Sequence, residues 1–87
     1  MNVAPVISSF SFVNDGNWIT LRGLVSDDQD PTGYVVDLSG IITVSLTVAP
    51  DNTFIYTFQV SPDYSGTIFA QTHDFLGLMS NTVSVSI

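Results

Sequence analysis

The feature that most constrains this chain is an alternation of apolar and polar side chains that recurs along most of its length. In residues 18–26, Ile19, Leu21, Gly23 and Val25 occupy every second position, and three of these four are apolar and branched. Successive side chains of a β-strand point to opposite faces, so a period of two predicts a strand with one buried face. No segment keeps the i, i+3, i+4 spacing of an amphipathic helix for long enough to form one. The alternation therefore predicts an all-β protein.

Turn residues divide this alternation into seven runs. Asn, Asp and Gly tolerate positive φ, so the sequence Asn-Asp-Gly-Asn at residues 14–17 predicts a tight turn. The predicted strands span residues 5–13, 18–26, 34–39, 41–49, 53–60 and 67–73, with a seventh run that ends at residue 87. Seven short antiparallel strands bury their apolar faces most simply as two packed sheets. We therefore predict an immunoglobulin-like β-sandwich with Greek-key topology.

The length and composition restrict the classes of function. The chain has 87 residues, so residues 1–87 are predicted to form a single module. It contains eight Asp, no Glu, one Arg and no Lys, which gives a net charge of −7. Binding to nucleic acid or to an anionic membrane needs basic patches that this chain lacks. With no cysteine, the chain also has no disulfide, no thiolate nucleophile and no cysteine-based zinc site.

The sequence predicts neither a signal peptide within these residues nor a membrane helix. No segment approaches the ~20 consecutive apolar residues of a membrane helix, so we predict no membrane insertion. The first residues, MNVAPVISS, lack the basic region and the apolar stretch of a signal peptide. We expect the chain to be part of a longer protein.

Three short sequence patterns fall at the ends of predicted strands. The first comprises Gly23, Val25, Asp27, Asp28 and Asp30; the second comprises Asp51, Asn52, Thr53 and Phe54; the third comprises Ala70, Asp74 and Gly77. Together they resemble bacterial immunoglobulin-like and cadherin-like repeats of large cell-surface and secreted proteins, which are abundant in planctomycetes. Asn52 departs from the pattern, because such repeats have Gly at this position.

The resemblance implies an extracellular or cell-surface location in bacteria and a structural or adhesive role without catalysis. It implies neighbouring domains of the same chain as partners, and another cell-surface protein or a polysaccharide as a further partner. Some repeats of this kind are stabilised by calcium. The chain departs from the cadherin pattern, since it has no Glu and no D-x-N-D-N linker.

An acidic cluster is the candidate metal site. Asp27, Asp28 and Asp30 follow the second strand, and Asp74 follows the sixth. In the predicted topology these two loops share one end of the sandwich, so the carboxylates could converge on a calcium ion, which prefers oxygen ligands. The alternative is that Asp27, Asp30 and Asp74 accept local hydrogen bonds that shape the turns. No other cofactor is predicted.

Three aromatic residues form the second candidate site. Strand alternation places Trp18 and Phe69 on outward faces, and Phe75 lies in the loop after the sixth strand. Exposed rings on a β-sandwich can stack on sugars, so the alternative function is a carbohydrate-binding accessory module of a secreted enzyme. The same rings could instead cover sheet edges or contact a neighbouring domain.

The sequence gives no support for catalysis. His73 precedes Asp74, but alternation points the two side chains to opposite faces. A catalytic triad needs a positioned nucleophile, and no serine lies in a G-x-S-x-G elbow. We therefore predict no catalytic residues and no enzyme activity, and we expect Arg22 to pair with an Asp at the surface.

Overall fold

A computed structural model describes residues 3–87, and Met1 and Asn2 lie outside the described residues. The strands are β1 (Val6–Asn14), β2 (Trp18–Ser26), β3 (Val35–Gly40), β4 (Val44–Thr47), β5 (Thr53–Gln59), β6 (Thr67–Thr72) and β7 (Val83–Ser86). They form two antiparallel sheets with the orders β1-β2-β5 and β4-β3-β6-β7. The predicted all-β sandwich is confirmed. Within residues 3–87 there is no helix that could cross a bilayer.

The core lies between the two sheets. It is built from the inward side chains that the alternation predicts, because every second residue of each strand faces the other sheet. Buried apolar residues from both sheets form one cluster: Ile7, Ile19, Leu21, Val25, Tyr34, Val36, Leu38, Val48, Phe54, Ile68 and Ala70. The sequence predicted the inward face of β2 and β6 correctly.

The module is a rod with principal extents of 47 × 21 × 17 Å. Strand β1 begins with Val6, which lies opposite Ser26 at the end of β2. We call this end of the sandwich, which also carries the β2–β3 loop, the upper end. At the other end, which we call the lower end, Ile87 exchanges two backbone hydrogen bonds with Gly66. The first and last strands therefore leave the sandwich at opposite ends.

The fourth strand is shorter than predicted, since β4 covers Val44–Thr47 and not residues 41–49. It pairs with β3, with Leu38 opposite Val44, and so joins the four-stranded sheet. A short connection between antiparallel strands favours a hairpin within one sheet, which explains this placement. Gly40, at φ 99°, is the last residue of β3 and precedes the connection.

The turn before β5 has the backbone conformation that its sequence pattern requires. Asn52 has φ 70°, in the left-handed region that glycine favours and asparagine tolerates. The Asp51 carboxylate accepts hydrogen bonds from the backbone N–H of Thr53 at 3.2 Å and from its hydroxyl at 2.6 Å. Asparagine therefore fits this turn, because it tolerates the positive φ that the turn requires.

Candidate functional site

The β2–β3 loop is fastened to the core by a bond between two side chains. The buried Tyr34 hydroxyl donates a 2.7 Å hydrogen bond to Oδ2 of Asp27, while Oδ1 of Asp27 accepts the N–H of Asp28 at 2.8 Å. The Tyr34 bond is the main cause that lowers the pKa of Asp27. Burial, followed by the Asp27 bond, raises the pKa of Tyr34. The pair is thus most stable as a neutral phenol with an ionised carboxylate.

The other two acids of this loop are exposed. Oδ1 of Asp30 accepts the N–H of Thr32 at 3.0 Å and its hydroxyl at 2.7 Å, and these bonds lower the pKa of Asp30. The neighbouring Asp27 carboxylate raises the pKa of Asp28. Asp30 therefore shapes a turn, whereas Asp28 extends its charge into solvent.

Asp74 organises the β6–β7 loop from within. It is only 2% exposed, and its Oδ1 accepts the N–H groups of Leu76 and Leu78 at 2.9 Å each. Its backbone N–H donates to the carbonyl of Leu78 at 3.1 Å, and Gly77, at φ 91°, donates to the carbonyl of Asp74. Residues 74–78 therefore form a tight hairpin turn around one buried carboxylate.

The four candidate calcium ligands lie at the upper end, as the topology predicted. Asp27, Asp30 and Asp74 each accept protein hydrogen bonds, which are those that the turn-shaping alternative predicts. Residues 3–87 contain no group of three or more acidic or histidine side chains arranged to hold a metal ion. The geometry favours turn shaping, and calcium binding stays a prediction.

The three candidate aromatic residues do not converge. Trp18, 45% exposed, lies opposite Gln59 on the outer face of the three-stranded sheet, at the lower end. Phe69, 41% exposed, lies on the outer face of the other sheet, and Phe75 lies in the upper hairpin. The three rings thus occupy three separate surfaces and form no shared platform for a sugar. We find no pocket in the part of the chain that the structure describes.

Beside the candidate Phe75, the hairpin turn carries three apolar residues that the sequence did not single out, Leu76, Leu78 and Met79. Phe75 is 74% exposed, Leu76 76%, Leu78 41% and Met79 49%, and we call these four residues the apolar tip. The Phe75 ring makes an edge contact with Tyr34, with ring centroids 4.9 Å apart. The signal in the sequence was a group of large apolar residues around Gly77 without strand alternation.

His73 and Arg22 form no catalytic or metal-binding arrangement with the acids of these loops within residues 3–87. His73 pairs with Met79 across the hairpin as a β-bridge, while the neighbouring Asp74 is buried. Arg22 lies on the outer face of the three-stranded sheet, opposite Ile55. Its charge contributes, after the hydrogen bonds to Thr53 and other causes, to the lowered pKa of Asp51.

No protein-family model matches this chain, and no curated protein matches it. Among solved structures, it is similar to the PKD domain of an M14-like peptidase from a Thermoplasmatales archaeon. The sequence identity is 13% and the TM-score is 0.74, with 100% of this chain and 96% of that chain covered. At this identity the likeness concerns the fold alone. The chain therefore has the immunoglobulin-like β-sandwich fold found in that PKD domain.

Proposed function

We propose that this chain is a structural module that holds neighbouring parts of a longer protein apart. The observation that carries the proposal is the rod shape, 47 Å long, with the first and last strands leaving at opposite ends. A module of this form adds its length to a chain when it is joined to others in series. The likeness to a peptidase PKD domain supports an accessory role of this kind.

The finer part of the proposal is a structural or adhesive repeat of a bacterial cell-surface or secreted protein. It is supported by the resemblance of the strand-end patterns to such repeats, among them Asp51–Phe54. The acidity of the chain, with a net charge of −7, would keep such a module soluble outside the cell. Its partners would then be the neighbouring domains of the same chain.

The spacing role can be tested by a distance measurement between the two ends. Because the sequence contains no cysteine, Val3→Cys and Ile87→Cys can be labelled with a fluorescent donor and acceptor. We expect energy transfer to report a distance close to the 47 Å long axis. A second pair, Ile55→Cys and Ser84→Cys, lies on the outer faces of the two sheets and should report the shorter width. If the first pair reported a distance near the 21 Å width, the spacer proposal would be wrong.

A second candidate function is carbohydrate binding by the outer face of the four-stranded sheet. One observation favours it: the Phe69 ring lies between Ser39 and Ser84 on adjacent strands, with Gln71 on the same face. A ring among hydroxyl and amide groups can stack on a sugar while its neighbours bond to the sugar hydroxyls. Affinity electrophoresis in polysaccharide gels tests this, with Phe69→Ala expected to lose retardation. Trp18→Ala, on the opposite sheet, is the matched control and should keep it.

A further inference from the structure

The geometry points to a second role for the upper end: we propose that the apolar tip docks into a protein surface that has an apolar depression ringed by lysine or arginine. This binding role goes beyond the spacer function and does not depend on it. The proposal rests on three observations, which are the exposure of the tip, its rigidity and the charge around it.

The four side chains of the apolar tip are large, apolar and exposed to solvent. Phe75 and Leu76 are each about three-quarters exposed, and Leu78 and Met79 lie beside them on the same hairpin. Contiguous apolar side chains on a soluble protein mark interaction surfaces, because covering them releases about 25 cal/mol per Å² of apolar area. Single exposed residues such as Val13 need no such explanation.

The tip is held outward by bonds that would not exist in a flexible loop. The buried Asp74 carboxylate fixes the N–H groups of Leu76 and Leu78, and the Tyr34 ring supports Phe75 from below. Tyr34 is itself fixed by its bond to Asp27. Such preorganisation reduces the entropy that a loop loses on binding, so it favours a tip that is used for recognition.

Negative charge is concentrated at the same end of the sandwich as the tip. The loops of the upper end carry five of the eight aspartates of the chain: Asp27, Asp28, Asp30, Asp51 and Asp74. Asp27 and Phe75 contact the same residue, Tyr34, so the acidic loop lies directly beside the apolar tip. The single arginine, Arg22, lies on the outer face of the three-stranded sheet, where its charge acts on Asp51 and not on the loops that flank the tip. A partner with a basic rim would therefore complement the surface.

The charge at the upper end favours a basic protein over a second copy of this chain or an anionic membrane as the partner of the tip. A second copy of the chain would bring two acidic loops together, each from a molecule with a net charge of −7. Four side chains also cover far less than the roughly 1,200 Å² that a stable interface buries. An anionic membrane would be repelled in the same way. The surface thus fits a modest, salt-sensitive contact with a basic protein.

Two synthetic amphipathic peptides test the proposal. Both carry the same leucine and phenylalanine positions, and their charged positions are all lysine in one and all glutamate in the other. In titrations followed by amide NMR, we expect the lysine peptide to shift the amides of residues 74–79 and 27–34, with affinity that falls as salt increases. The glutamate peptide should cause no shift. Equal affinity for both peptides, or no binding of the lysine peptide, would overturn the proposal.

Matched variants separate the tip from general attraction between charges. Phe75→Ser/Leu76→Ser should weaken binding of the lysine peptide at least about tenfold. Val13→Ser/Ile55→Ser removes exposed apolar groups elsewhere and should leave the affinity within about twofold. Asp15 and Asp63 lie in the loops before β2 and β6, at the lower end. An unchanged affinity in the tip variant, or shifts centred on these two residues, would contradict tip binding. Tip-dependent binding to phosphatidylcholine vesicles, with none to the peptide, would instead identify a lipid surface and sink the proposal.

Discussion

The ring of Phe54 fills the space in which any side chain at Gly23 would lie. The two residues are register partners on β5 and β2, and a Cβ built on Gly23 would overlap the end of the ring. Phe54 also packs on Phe10, with ring centroids 5.8 Å apart. Glycine is therefore required here by packing between neighbouring strands and not by a turn.

Gly23→Ala should destabilise the module because the added methyl group forces the Phe54 ring out of its site. Overpacking of this kind costs about 1–3 kcal/mol in the free energy of unfolding. Urea unfolding measures it, and Phe54→Leu in the same chain should restore part of the loss. If the losses in the free energy of unfolding of the two single variants simply added in the double variant, contact with Phe54 would not be the reason that glycine is required at position 23.

Asn52 should tolerate glycine but not a β-branched residue. Its φ of 70° costs most side chains about 1–2 kcal/mol, so Asn52→Val should lower the free energy of unfolding by roughly that amount. Asn52→Gly should change it by less than about 1 kcal/mol, since glycine adopts this conformation freely. Thermal melts of the two variants check the difference, and equal losses would mean that the side chain matters for another reason.

Stability should fall with acid below pH 3.8, the ordinary pKa of aspartate. Hydrogen bonds lower the pKa of Asp27, Asp30 and Asp51 in the folded state. The unfolded chain then binds more protons, so their stabilisation is complete above pH 3.8 and is lost as pH falls through the lower folded values. Urea unfolding between pH 2 and pH 7 measures this slope.

Tyr34→Phe should flatten that dependence, because it removes the main cause of the lowered pKa of Asp27. It should also cost about 1 kcal/mol at neutral pH through the lost hydrogen bond. At alkaline pH the sign is opposite, because the pKa of Tyr34 is higher in the folded chain than its ordinary value of 10.0. The contribution of Tyr34 to stability is therefore complete below pH 10.0 and is lost as the pH rises above that value. A variant with the wild-type profile at both extremes would contradict the role assigned to this bond.

Calcium should leave the melting temperature unchanged if the acids of the upper end only shape turns. Wild type and Asp27→Asn/Asp74→Asn can be melted in millimolar calcium and in EDTA. Asparagine has one acceptor oxygen, so Asp74→Asn can keep the bonds from Leu76 and Leu78, whereas Asp27→Asn keeps only one of the two bonds that Asp27 accepts. Each protein is therefore compared with itself in calcium and in EDTA. A calcium-dependent rise that the variant loses would establish the calcium site that the resemblance predicts. Asp15→Asn/Asp63→Asn, outside this cluster, is the matched control.

The candidate site was predictable in its position but not in its organisation. Turn chemistry and topology placed Asp27 and Asp74 at one end of the sandwich, because those follow from strand order. Burial of the Asp74 carboxylate and its bonds to the apolar tip depend on how the hairpin folds back. The bond from Tyr34 to Asp27 likewise requires the core to hold the phenol in place. The local sequence pattern does not show which of these side chains lie within hydrogen-bond distance of one another.

The sequence by itself determined the number of strands and the buried face of strands such as β2, since Ile19, Leu21, Gly23 and Val25 recur with the period of two of a half-buried strand. It also determined the turn at Asn52 through local backbone chemistry. The tertiary structure alone decided that β4 pairs with β3, that Trp18 and Phe69 lie on opposite sheets, and that Phe54 requires Gly23. Those outcomes depend on contacts between strands that are far apart in the sequence, and these contacts form only when the two sheets pack together.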